Sequence, residues 1–581
     1  MSARELITEH LDLWTGAVTK KSSSGRGSNG KVELTGVKKL RELILELAVR
    51  GKLVTQDKDD EPVSLLLKKI ESEKSAQLKA KAIRKPKKLP EIQEIEQPFP
   101  IPVSWRYCRL NELGVWGSGA TPKRGNSHYY GGGIPWFKSG ELYKDFIDSS
   151  EETITELAVQ ETSVRMNQPG DVLIAMYGAT IGKASILEVA GTTNQAVCAC
   201  TPWPGISNRF LLLLLKAYRS RFIAMGAGGA QPNISREKII ATVVGLPPEE
   251  EQQRIVQKVD ELMALCDRLE QQTSDQLEAH ETLVDTLLGT LTQSGNATEL
   301  ADNWTHLAAH FDTLFTTEQS IDKLKQTILQ LAVMGRLVEQ SPLEGNASVL
   351  LQEIADEKKR LVETGVLKRK KNSGAQNESE LFSIPSTWSW VISHEICTLI
   401  TDGEHNTPER TTDATAVPLA TAKNVRDGYI DLTNTDFVPL GVAETCWNRC
   451  KPELGDILMV SVGATLGRLA IMRDSQDMVL VRSVTLLRPM KTLGEYLAIY
   501  LQAPTTQSWI WRNVRQSAQP CLYLSKSSSI PVSVPPLAEQ HRIVQKVDEL
   551  MALCDHLKQR LNQASETRNQ MAEAVVEGAL N

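Results

Sequence analysis

The fourteen residues RIVQKVDELMALCD occupy positions 254–267, and the same fourteen letters recur at positions 542–555. A second repeat lies upstream, where KLRELILELAVRGKLV at 39–54 matches KLKQTILQLAVMGRLV at 323–338. Self-similarity at a nearly fixed period indicates a chain that is built from repeated structural units. The sequence therefore predicts two copies of one unit, with a junction at about 290–320.

Two long segments between these repeats, residues 104–245 and 387–533, have largely different sequences. One stretch inside them does recur, because GDVLIAMYGATIGKASIL at 170–187 pairs with GDILMVSVGATLGRLAIM at 455–472. A shared stretch of this length favours a common fold, while the remaining differences indicate different surfaces. Each unit is thus predicted to contain a helix, a linker, a variable domain and a second helix.

Both fourteen-residue repeats have the alternating three- and four-residue apolar spacing of a heptad seam. Pro248 and Pro536, with the acidic residues that follow them, indicate helix starts with a proline in the first turn. A helix with such a seam needs a partner, and each repeat is the obvious partner of the other. Two copies related by an approximate two-fold axis would pack antiparallel and place the variable domains at opposite ends. The seam residues are Ile255, Val259, Leu262, Cys266 and Leu269 in the first copy, and Ile543, Val547, Leu550, Cys554 and Leu557 in the second.

These patterns predict an α+β fold, in which long antiparallel coiled-coil helices separate two mixed α/β domains in an internal pseudo-two-fold repeat. Short apolar runs and glycine-rich turns indicate several short strands in the first variable segment, with one helix near 207–225. The basic stretches Lys79–Pro90 and Lys368–Asn377 are predicted linkers, and Ser22–Gly30 is a predicted loop. Five regions follow: an N-terminal helical region and linker at 1–97, a first variable domain at 98–245, a central helical spacer and linker at 246–380, a second variable domain at 381–533, and a C-terminal spacer helix at 534–581.

The composition excludes several classes of protein. A chain of 581 residues is too long for a single hydrophobic core, so several domains are expected. Apolar content of 41% and charged content of 23% argue against a disordered or disulfide-scaffold chain. The longest apolar run, Phe210–Leu215, is far shorter than the roughly 20 residues that cross a bilayer. Nine cysteines in so long a chain, without a signal-like start, predict reduced thiols and a cytoplasmic location.

Short stretches that are similar to catalytic or metal-binding motifs do not have the residues and spacing that those motifs require. Gly178–Lys183 is similar to a phosphate loop, but it has three residues between its glycines instead of four, and Ala184 replaces the magnesium-binding Ser or Thr. A tight turn between strands explains it better, since Arg468 replaces the lysine in the second copy. His306 and His310 lack the glutamate of a metalloprotease, and the cysteine pairs have no second pair for zinc. We therefore expect no catalytic residue and no metal site in this chain.

The layout resembles the specificity subunit of type I restriction–modification enzymes, and the resemblance covers essentially the whole chain. Gly119-Ala120-Thr121-Pro122, followed by Tyr129–Trp136, is similar to the opening of a target recognition domain in that family. Leu246–Gln252 and Val534–Gln540 look like its exit into a spacer helix, and Gly36–Val54 resembles the type IB subclass.

The resemblance implies a non-catalytic DNA-reading subunit whose two recognition domains each read one half of a split, asymmetric target. The second half-site is harder to infer, because Thr401–Pro408 lacks the Gly-Ile-Pro-Trp element of the first domain. In the family the helices set the spacing and dock two modification subunits, which bring S-adenosylmethionine and adenine methylation. Two restriction subunits bring ATP- and Mg-dependent translocation and cleavage, so this chain itself is expected to bind no cofactor. Such a complex acts on double-stranded DNA in the bacterial cytoplasm, at the nucleoid.

Local charge supports DNA binding only weakly, because Lys and Arg exceed Asp and Glu by three in residues 104–245 and fall short by one in residues 387–533. Phosphate contacts dominate DNA affinity, and these two segments carry little net positive charge. We therefore expect the partner subunits to supply much of the affinity for DNA. Base readout needs polar side chains, such as those of Arg, Lys, Asn and Gln, on loops that face a groove. The DNA-contact candidates are Lys123, Arg124, Asn126, Lys138 and Lys183 in the first domain, and His405, Asn406, Arg410, Lys423, Asn424 and Arg426 in the second.

Two other classes of function stay open on sequence alone. A self-contained nuclease or methyltransferase would need acidic clusters or cofactor loops, which the sequence does not contain. A coiled-coil scaffold that presents two non-DNA binding domains would explain the seams, but not why one domain type is duplicated and diverged. Binding of duplex DNA by either excised domain would separate these alternatives.

Overall fold

A computed structural model describes residues 9–20, 32–83, 89–226, 232–295, 297–367, 380–491, 494–515 and 519–580. The chain forms two compact units, residues 1–276 with 564–581 and residues 277–563. Each unit therefore contains one variable segment and a part of each long helix. The five regions expected from the sequence remain a prediction, because this division cuts through both long helices. The predicted loop Ser22–Gly30 and linker Lys368–Asn377 lie outside the described residues, as do residues 84–88 of the linker Lys79–Pro90.

Helices and a pair of short antiparallel strands form the N-terminal part of the first unit. Leu40, Leu43 and Ile44 recur at helical spacing, and Gly51 beyond them predicts a helix that ends near residue 50. That helix ends at Val49, its apolar side chains are buried, and Gly51 has the left-handed φ of +71° that a glycine after a helix adopts. The prediction is confirmed. The elements are α1 (Leu11–Gly16), β1 (Thr19–Lys20), β2 (Val32–Glu33), α2 (Thr35–Val49) and α3 (Val63–Lys79).

The first variable segment contains short strands and short helices, which confirms its predicted mixed composition. Its central strands have consecutive buried side chains, as expected for strands that are covered on both faces. The helix predicted near 207–225 is present as two helices that meet at Tyr218. The strands are β3 (Arg106–Arg109), β4 (Gly114–Ser118), β5 (Tyr130–Phe137), β6 (Phe146–Ile147), β7 (Thr153–Ile154), β8 (Val172–Ala175), β9 (Ala184–Leu187), β10 (Thr192–Thr193), β11 (Val197–Pro202) and β12 (Val243–Leu246); the helices are α4 (Glu156–Glu161), α5 (Asn208–Ala217), α6 (Arg219–Gly226) and α7 (Arg236–Ala241).

A five-stranded sheet with the order β4-β11-β8-β9-β6 lies at the centre of this domain. Its neighbouring strands are antiparallel except for the parallel pair β6–β9. A smaller sheet has the order β10-β5-β7. Strand β3 pairs with β12, so the start of the domain lies beside its end. Helix α5 packs on β8 and β9 and also against α2, so that all of Leu211–Leu215 are buried.

A helix of 45 residues follows the first variable domain. Pro248 stands one residue before it, where its carbonyl accepts from the Gln252 N–H at 2.9 Å, so the proline is at the N-cap and not in the first turn as predicted. This long helix is α8 (Glu249–Gln293). The helices that follow it before the second domain are α9 (Ala297–Ala309), α10 (Phe311–Leu314), α11 (Glu318–Val333) and α12 (Ala347–Glu363).

The second variable domain has a corresponding sheet with the order β14-β20-β17-β18, beside a smaller sheet β16-β15-β19 and the pair β13–β21, whose bounds follow. The strands are β13 (Ser389–Ile392), β14 (Cys397–Asp402), β15 (Val417–Ala420), β16 (Asp436–Val438), β17 (Ile457–Val460), β18 (Leu469–Ile471), β19 (Val479–Leu480), β20 (Val484–Pro489) and β21 (Pro531–Val534); the helices are α13 (Ser393–Ile396), α14 (Leu440–Trp447), α15 (Gly494–Gln502), α16 (Pro504–Arg512), α17 (Leu524–Ser527) and the final helix α18 (Leu537–Leu580).

The seam residues of both long helices lie in the cores of their own units. Four of the five seam residues of α8 are buried in the first unit, and Leu269 is half-buried. In the second unit Ile543, Val547 and Cys554 of α18 are buried. Leu550 and Leu557 are half-buried beside them. Heptad spacing therefore identified faces that do exclude water.

A third helix packs at each seam beside the long helix that the sequence indicated as the partner. The core around the α8 seam contains residues of α2, such as Leu40 and Ile44, together with Ala572 of α18. The core around the α18 seam contains residues of α11, such as Ile328, and Val284 of α8. Heptad spacing shows that a helix has an apolar stripe, but it does not determine which helices pack on that stripe. Helices α2 and α11 have apolar stripes of their own and pack there.

A buried glutamate lies in the first turn of each long helix, Glu251 in α8 and Glu539 in α18. The amide of Gln56 donates to Glu251 Oε1 at 3.0 Å, and that of Gln340 donates to Glu539 Oε1 at 2.5 Å. The indole of Trp388 donates to the other oxygen of Glu539 at 2.9 Å. Desolvation by burial raises the pKa of both carboxyls. The glutamine bonds tie each long helix to the loop after α2 or α11, and the Trp388 bond ties α18 to the residue before β13.

Replacing Gly335 with alanine is expected to lower the free energy of unfolding of the second unit by more than about 1 kcal/mol. Gly335 follows α11 with φ +70°, and an added Cβ would stand 2.5 Å from Cγ of Pro385. Gly365→Ala is the matched control, since Gly365 also follows a helix with φ +76° but has no atom within 4 Å of that Cβ position. Thermal unfolding of both variants measures the difference. Equal falls in Tm would contradict the packing argument.

Candidate nucleic-acid interface

Several loops of the first variable domain meet at one edge of its central sheet. Ser118, which ends β4, pairs with Cys198 near the start of β11, and Val197 pairs with Ala175 at the end of β8. Because β8 and β9 are antiparallel, the turn between them lies at the same edge. We term this surface the first loop edge; its loops are residues 119–129, 176–183 and 194–196.

Helix α8 contacts the opposite edge of the same sheet. The backbone N–H of Ser207, which follows β11, donates to Gln252 Oε1 of α8 at 2.9 Å. Gly170, which precedes β8, accepts from the amide of Asn208 at 3.2 Å. The first turn of α8 therefore does not cover the first loop edge.

Arg124 and Lys138 converge on Glu152. Arg124 Nη1 lies 2.6 Å from Glu152 Oε2, and Lys138 Nζ lies 2.5 Å from Oε1. The Arg124 guanidinium is 4.9 Å from the ring centroid of Tyr130 and 4.8 Å from that of Trp136. Hydrogen bonds from Arg124 and then from Lys138 hold the pKa of Glu152 below its ordinary value. Glu152 is therefore a carboxylate at neutral pH.

The other three candidates of the first domain differ in their surroundings. Lys123 is exposed and adjoins Arg124. Asn126 caps a short 3-10 turn, because its side-chain oxygen accepts from the His128 N–H at 3.1 Å. Lys183 is half-buried at the turn before β9. Lys123, Arg124 and Lys183 thus share the first loop edge, while the Asn126 oxygen is used locally.

The glycine turn predicted from both copies is present in both domains. Gly178 and Gly182 have φ of +62° and +75° between β8 and β9, and Gly463 and Gly467 have φ of +100° and +89° between β17 and β18. Left-handed backbone at these positions favours glycine. A Cβ on Gly182 would also lie 2.7 Å from Cγ of Arg219. The motif forms a turn between strands, so that prediction is confirmed.

The second domain gathers loops at the corresponding edge of its sheet. Asp402, which ends β14, pairs with Thr485, and Val460, which ends β17, pairs with Val484. The segment after β15 also reaches this edge, because the Ala422 N–H donates to the Ser483 hydroxyl at 3.3 Å. We term this surface the second loop edge; its loops are residues 403–416, 421–430, 461–468 and 481–483.

His405 is held in place at the second loop edge by Asp402. His405 Nε2 lies 2.8 Å from Asp402 Oδ2 and 3.0 Å from Arg449 Nη2. Arg449 bonds the other carboxylate oxygen and donates from Nε to the backbone oxygens of Asp402 and Gly403 at 3.2 Å each. The neighbouring Asn406 is exposed.

Arg410, Lys423 and Arg426 lie on the loops of the second loop edge. Arg410 Nη1 is 2.9 Å from Asp436 Oδ2, and Arg426 Nη2 is 3.5 Å from Asp431 Oδ2. Lys423 is exposed. Both arginines are thus partly neutralised by neighbouring carboxylates, and exposed pairs of this kind hold their geometry only weakly.

The prediction that Asn424 contacts DNA is wrong. Its side chain is only 2% exposed. The side-chain oxygen accepts from the Thr421 N–H and hydroxyl at 2.9 and 3.0 Å, and the side-chain nitrogen donates to the carbonyls of Asp431 and Asn434 at 2.9 and 3.3 Å. An amide whose donors and acceptor are satisfied internally cannot read a base edge. Asn424 shapes the loop that carries Lys423.

Sequence reasoning did not identify Glu152 or Arg449, which orient Arg124 and His405. Glu152 gave no signal because a carboxylate is not an expected contact to DNA phosphates. Arg449 gave none because it lies on the segment after α14, 44 residues beyond His405. Ala-Gln-Pro at 230–232 recurs at 518–520, a further sequence match between the two variable segments. Pro232 and Pro520 accept from the N–H groups of Gly178 and Gly463 at 2.8 and 2.9 Å.

The cysteines are buried neutral thiols for the most part. All nine are free, and burial raises the pKa of Cys198 and Cys450 to about 12. Within the described ranges, no three His, Cys, Asp or Glu side chains come together as a group that could hold a metal ion. No helix in that same part of the chain has both the length and the hydropathy that crossing a membrane requires.

Comparison with known proteins gives consistent matches. A family model for the type I restriction modification DNA specificity domain matches residues 102–279 and 395–566. The chain is 34% identical to the specificity subunit of the type I restriction enzyme EcoAI and 33% identical to that of EcoEI, both from Escherichia coli, with all of each chain covered. A solved structure from work on complex assembly and conformational transition of the type I R-M system shares 18% identity, covers 83% of this chain and 99% of that chain, and has a TM-score of 0.48.

Proposed function

Because the chain belongs to the family of specificity subunits of type I restriction–modification systems, we propose that its two variable domains each read one half of a split, asymmetric DNA target. The observation that carries this proposal is the pair of loop edges. Both domains build the edge from corresponding strands and the same glycine turn. Their loops present different polar side chains, so one framework would read two different base sequences. No comparison supports the scaffold alternative.

Corresponding ion pairs in the two units support an internal two-fold repeat with antiparallel long helices. In the first unit, cations of α2 pair with α8 and with the end of α18. In the second unit, the equivalent lysines of α11 pair with α18 and with the end of α8, so the long helices exchange roles. The pairs are Arg41–Asp267 and Lys39–Glu573 in the first unit, and Lys325–Asp555 and Lys323–Asp285 in the second.

The long helices are the proposed spacer that sets the distance between half-sites. At a rise of 1.5 Å per residue, α8 is about 67 Å long, which is about two turns of duplex DNA. Two weak readers on one stiff spacer gain affinity, because binding of the first raises the effective concentration of the second. The length of the spacer would then select the permitted separation of the half-sites.

Two modification subunits and two restriction subunits are the proposed protein partners. A two-fold repeat offers two equivalent docking faces, one per unit, which suits a pair of identical partners. We place methylation with S-adenosylmethionine, and translocation with ATP and Mg, on those partners. In this assignment the chain contributes recognition alone, binds no cofactor and acts at the bacterial nucleoid.

Base-resolution adenine methylation across the host genome, with the gene present and deleted, tests the proposed function. Deletion should abolish methylation of one split, asymmetric motif and leave all other motifs unchanged. Expression of the gene from a plasmid in the deletion strain is the control, and it should restore the same motif. Full persistence of every methylated motif after deletion would count against the proposal.

A further inference from the structure

Arg124 stands on a loop that aromatic side chains fix from behind. The Trp136 indole donates to the carbonyl of Ala120 at 3.1 Å, and the Tyr130 hydroxyl donates to that of Pro122 at 2.7 Å. Trp136 is buried, and the two rings stand at 78° to each other. The guanidinium occupies the corner between the rings. Backbone and side chain of Arg124 are therefore both held before any ligand arrives.

One edge of this guanidinium remains available. Arg124 bonds Glu152 through Nη1 alone, and among the described residues no acceptor is recorded for Nε or Nη2. The side chain is 53% exposed. The Nε and Nη2 hydrogens form a planar two-donor fork, which suits a pair of acceptors at a fixed separation.

We infer that Arg124 reads a guanine in the major groove through this fork, and that Glu152 is the residue that positions it; this inference rests on the proposed function. Guanine presents two acceptors there, N7 and O6, which match a group that only donates. Adenine presents one acceptor and one donor at the same edge, so its amino group would place a donor against an N–H donor of Arg124. Arginine bonded to a carboxylate keeps its orientation, so less side-chain freedom is lost on binding.

The charges around Arg124 favour a base over a phosphate. Glu152 bonds both Arg124 and Lys138, and a Glu151 carboxylate oxygen lies 4.0 Å from Lys138 Nζ. These four charges cancel, so a phosphate would be attracted here mainly by the exposed Lys123 beside them, while the neutral acceptors of guanine need no net positive charge. Lys138 in this arrangement is a second anchor for Glu152.

The test uses the complex of this chain with its modification subunit and measures methylation of DNA libraries randomised at each half-site. Arg124→Lys retains the charge but loses the planar fork. We expect it to reduce the preference for guanine at one position of one half-site by about 5- to 150-fold, the range of a good bidentate contact. Glu152→Gln should weaken the preference at that same position by a smaller factor. Preferences at the other half-site should be unchanged in both variants, which also reports that the complex is folded.

Arg209→Lys is the matched control. Arg209 is likewise exposed, bonds Asp260 at 2.7 Å and lies 5.9 Å from the ring centroid of Phe146, but it is in α5, away from the first loop edge. Its variant should leave every base preference unchanged. A uniform loss of methylation in Arg124→Lys with the same base preferences would indicate a phosphate contact and overturn the inference. Unaltered activity and preferences would overturn it as well. If the wild-type complex shows no split motif, the proposed function itself fails.

Discussion

Removal of seven residues from each long helix is expected to shorten the spacing between the half-sites by about three base pairs and to leave both half-sites unchanged. Seven helical residues rise about 10.5 Å, and duplex DNA rises about 3.4 Å per base pair. Seven residues are also close to two helical turns, so the seams keep their faces. Suitable deletions are residues 271–277 in α8 and 560–566 in α18, which lie between the ion pairs of the two units.

Methylation of a library with variable spacing between fixed half-sites measures this result. A control variant keeps the length of both segments and replaces their exposed residues with alanine, glutamate and lysine in helix-favouring order. That control should retain the original spacing. A shortened protein that methylates the original spacing would contradict the role of the helices as a spacer.

Replacing Ile543 with alanine is expected to lower the free energy of unfolding of the second unit by about 2–5 kcal/mol. Ile543 is fully buried in the core that includes Ile328 of α11 and Trp388, and truncation would leave a cavity there. Leu553→Ala is the control on the same helix, because Leu553 is 56% exposed. It should change the free energy by no more than about 0.5 kcal/mol.

Urea denaturation followed by tryptophan fluorescence measures both variants. A fall in the midpoint for Ile543→Ala without a change in slope reports a loss of stability alone. Similar midpoints for the two variants would mean that the buried seam contributes little to the second unit. The same comparison applies to Ile255 of α8, which is equally buried in the first unit.

Local and periodic signals were the reliable part of the sequence reasoning. The helix that ends before Gly51, the glycine turn at Gly178 and the apolar seam at Ile255 each depend on spacing over a few residues. Such spacing determines which side chains share a face, and burial of that face stabilises the element. These predictions therefore agreed with the structure.

Predictions about individual DNA contacts depended on information that lies far away in the chain. Arg124 and Lys138 both reach Glu152, and His405 is oriented by Arg449, across separations that no local pattern encodes. Asn424 is a polar residue of a loop, as a DNA contact should be, but its side-chain hydrogen bonds all go to residues of its own loop. Residue type and loop position do not determine whether a side chain faces solvent or the protein.

The sequence by itself determined that this protein contains a duplicated unit, with two closely matching helical repeats and two diverged segments. Repeats and heptad spacing can be read directly from the order of the residues. The sequence also indicated the family of type I restriction–modification specificity subunits, because the order of these repeats and segments is specific to that family. Only the tertiary structure decided that a third helix covers each seam, that the loops meet at one edge of each sheet, and that Glu152 holds Arg124. Strand pairing and side-chain burial bring together residues that are distant in sequence, and the free energy of those contacts depends on positions in space.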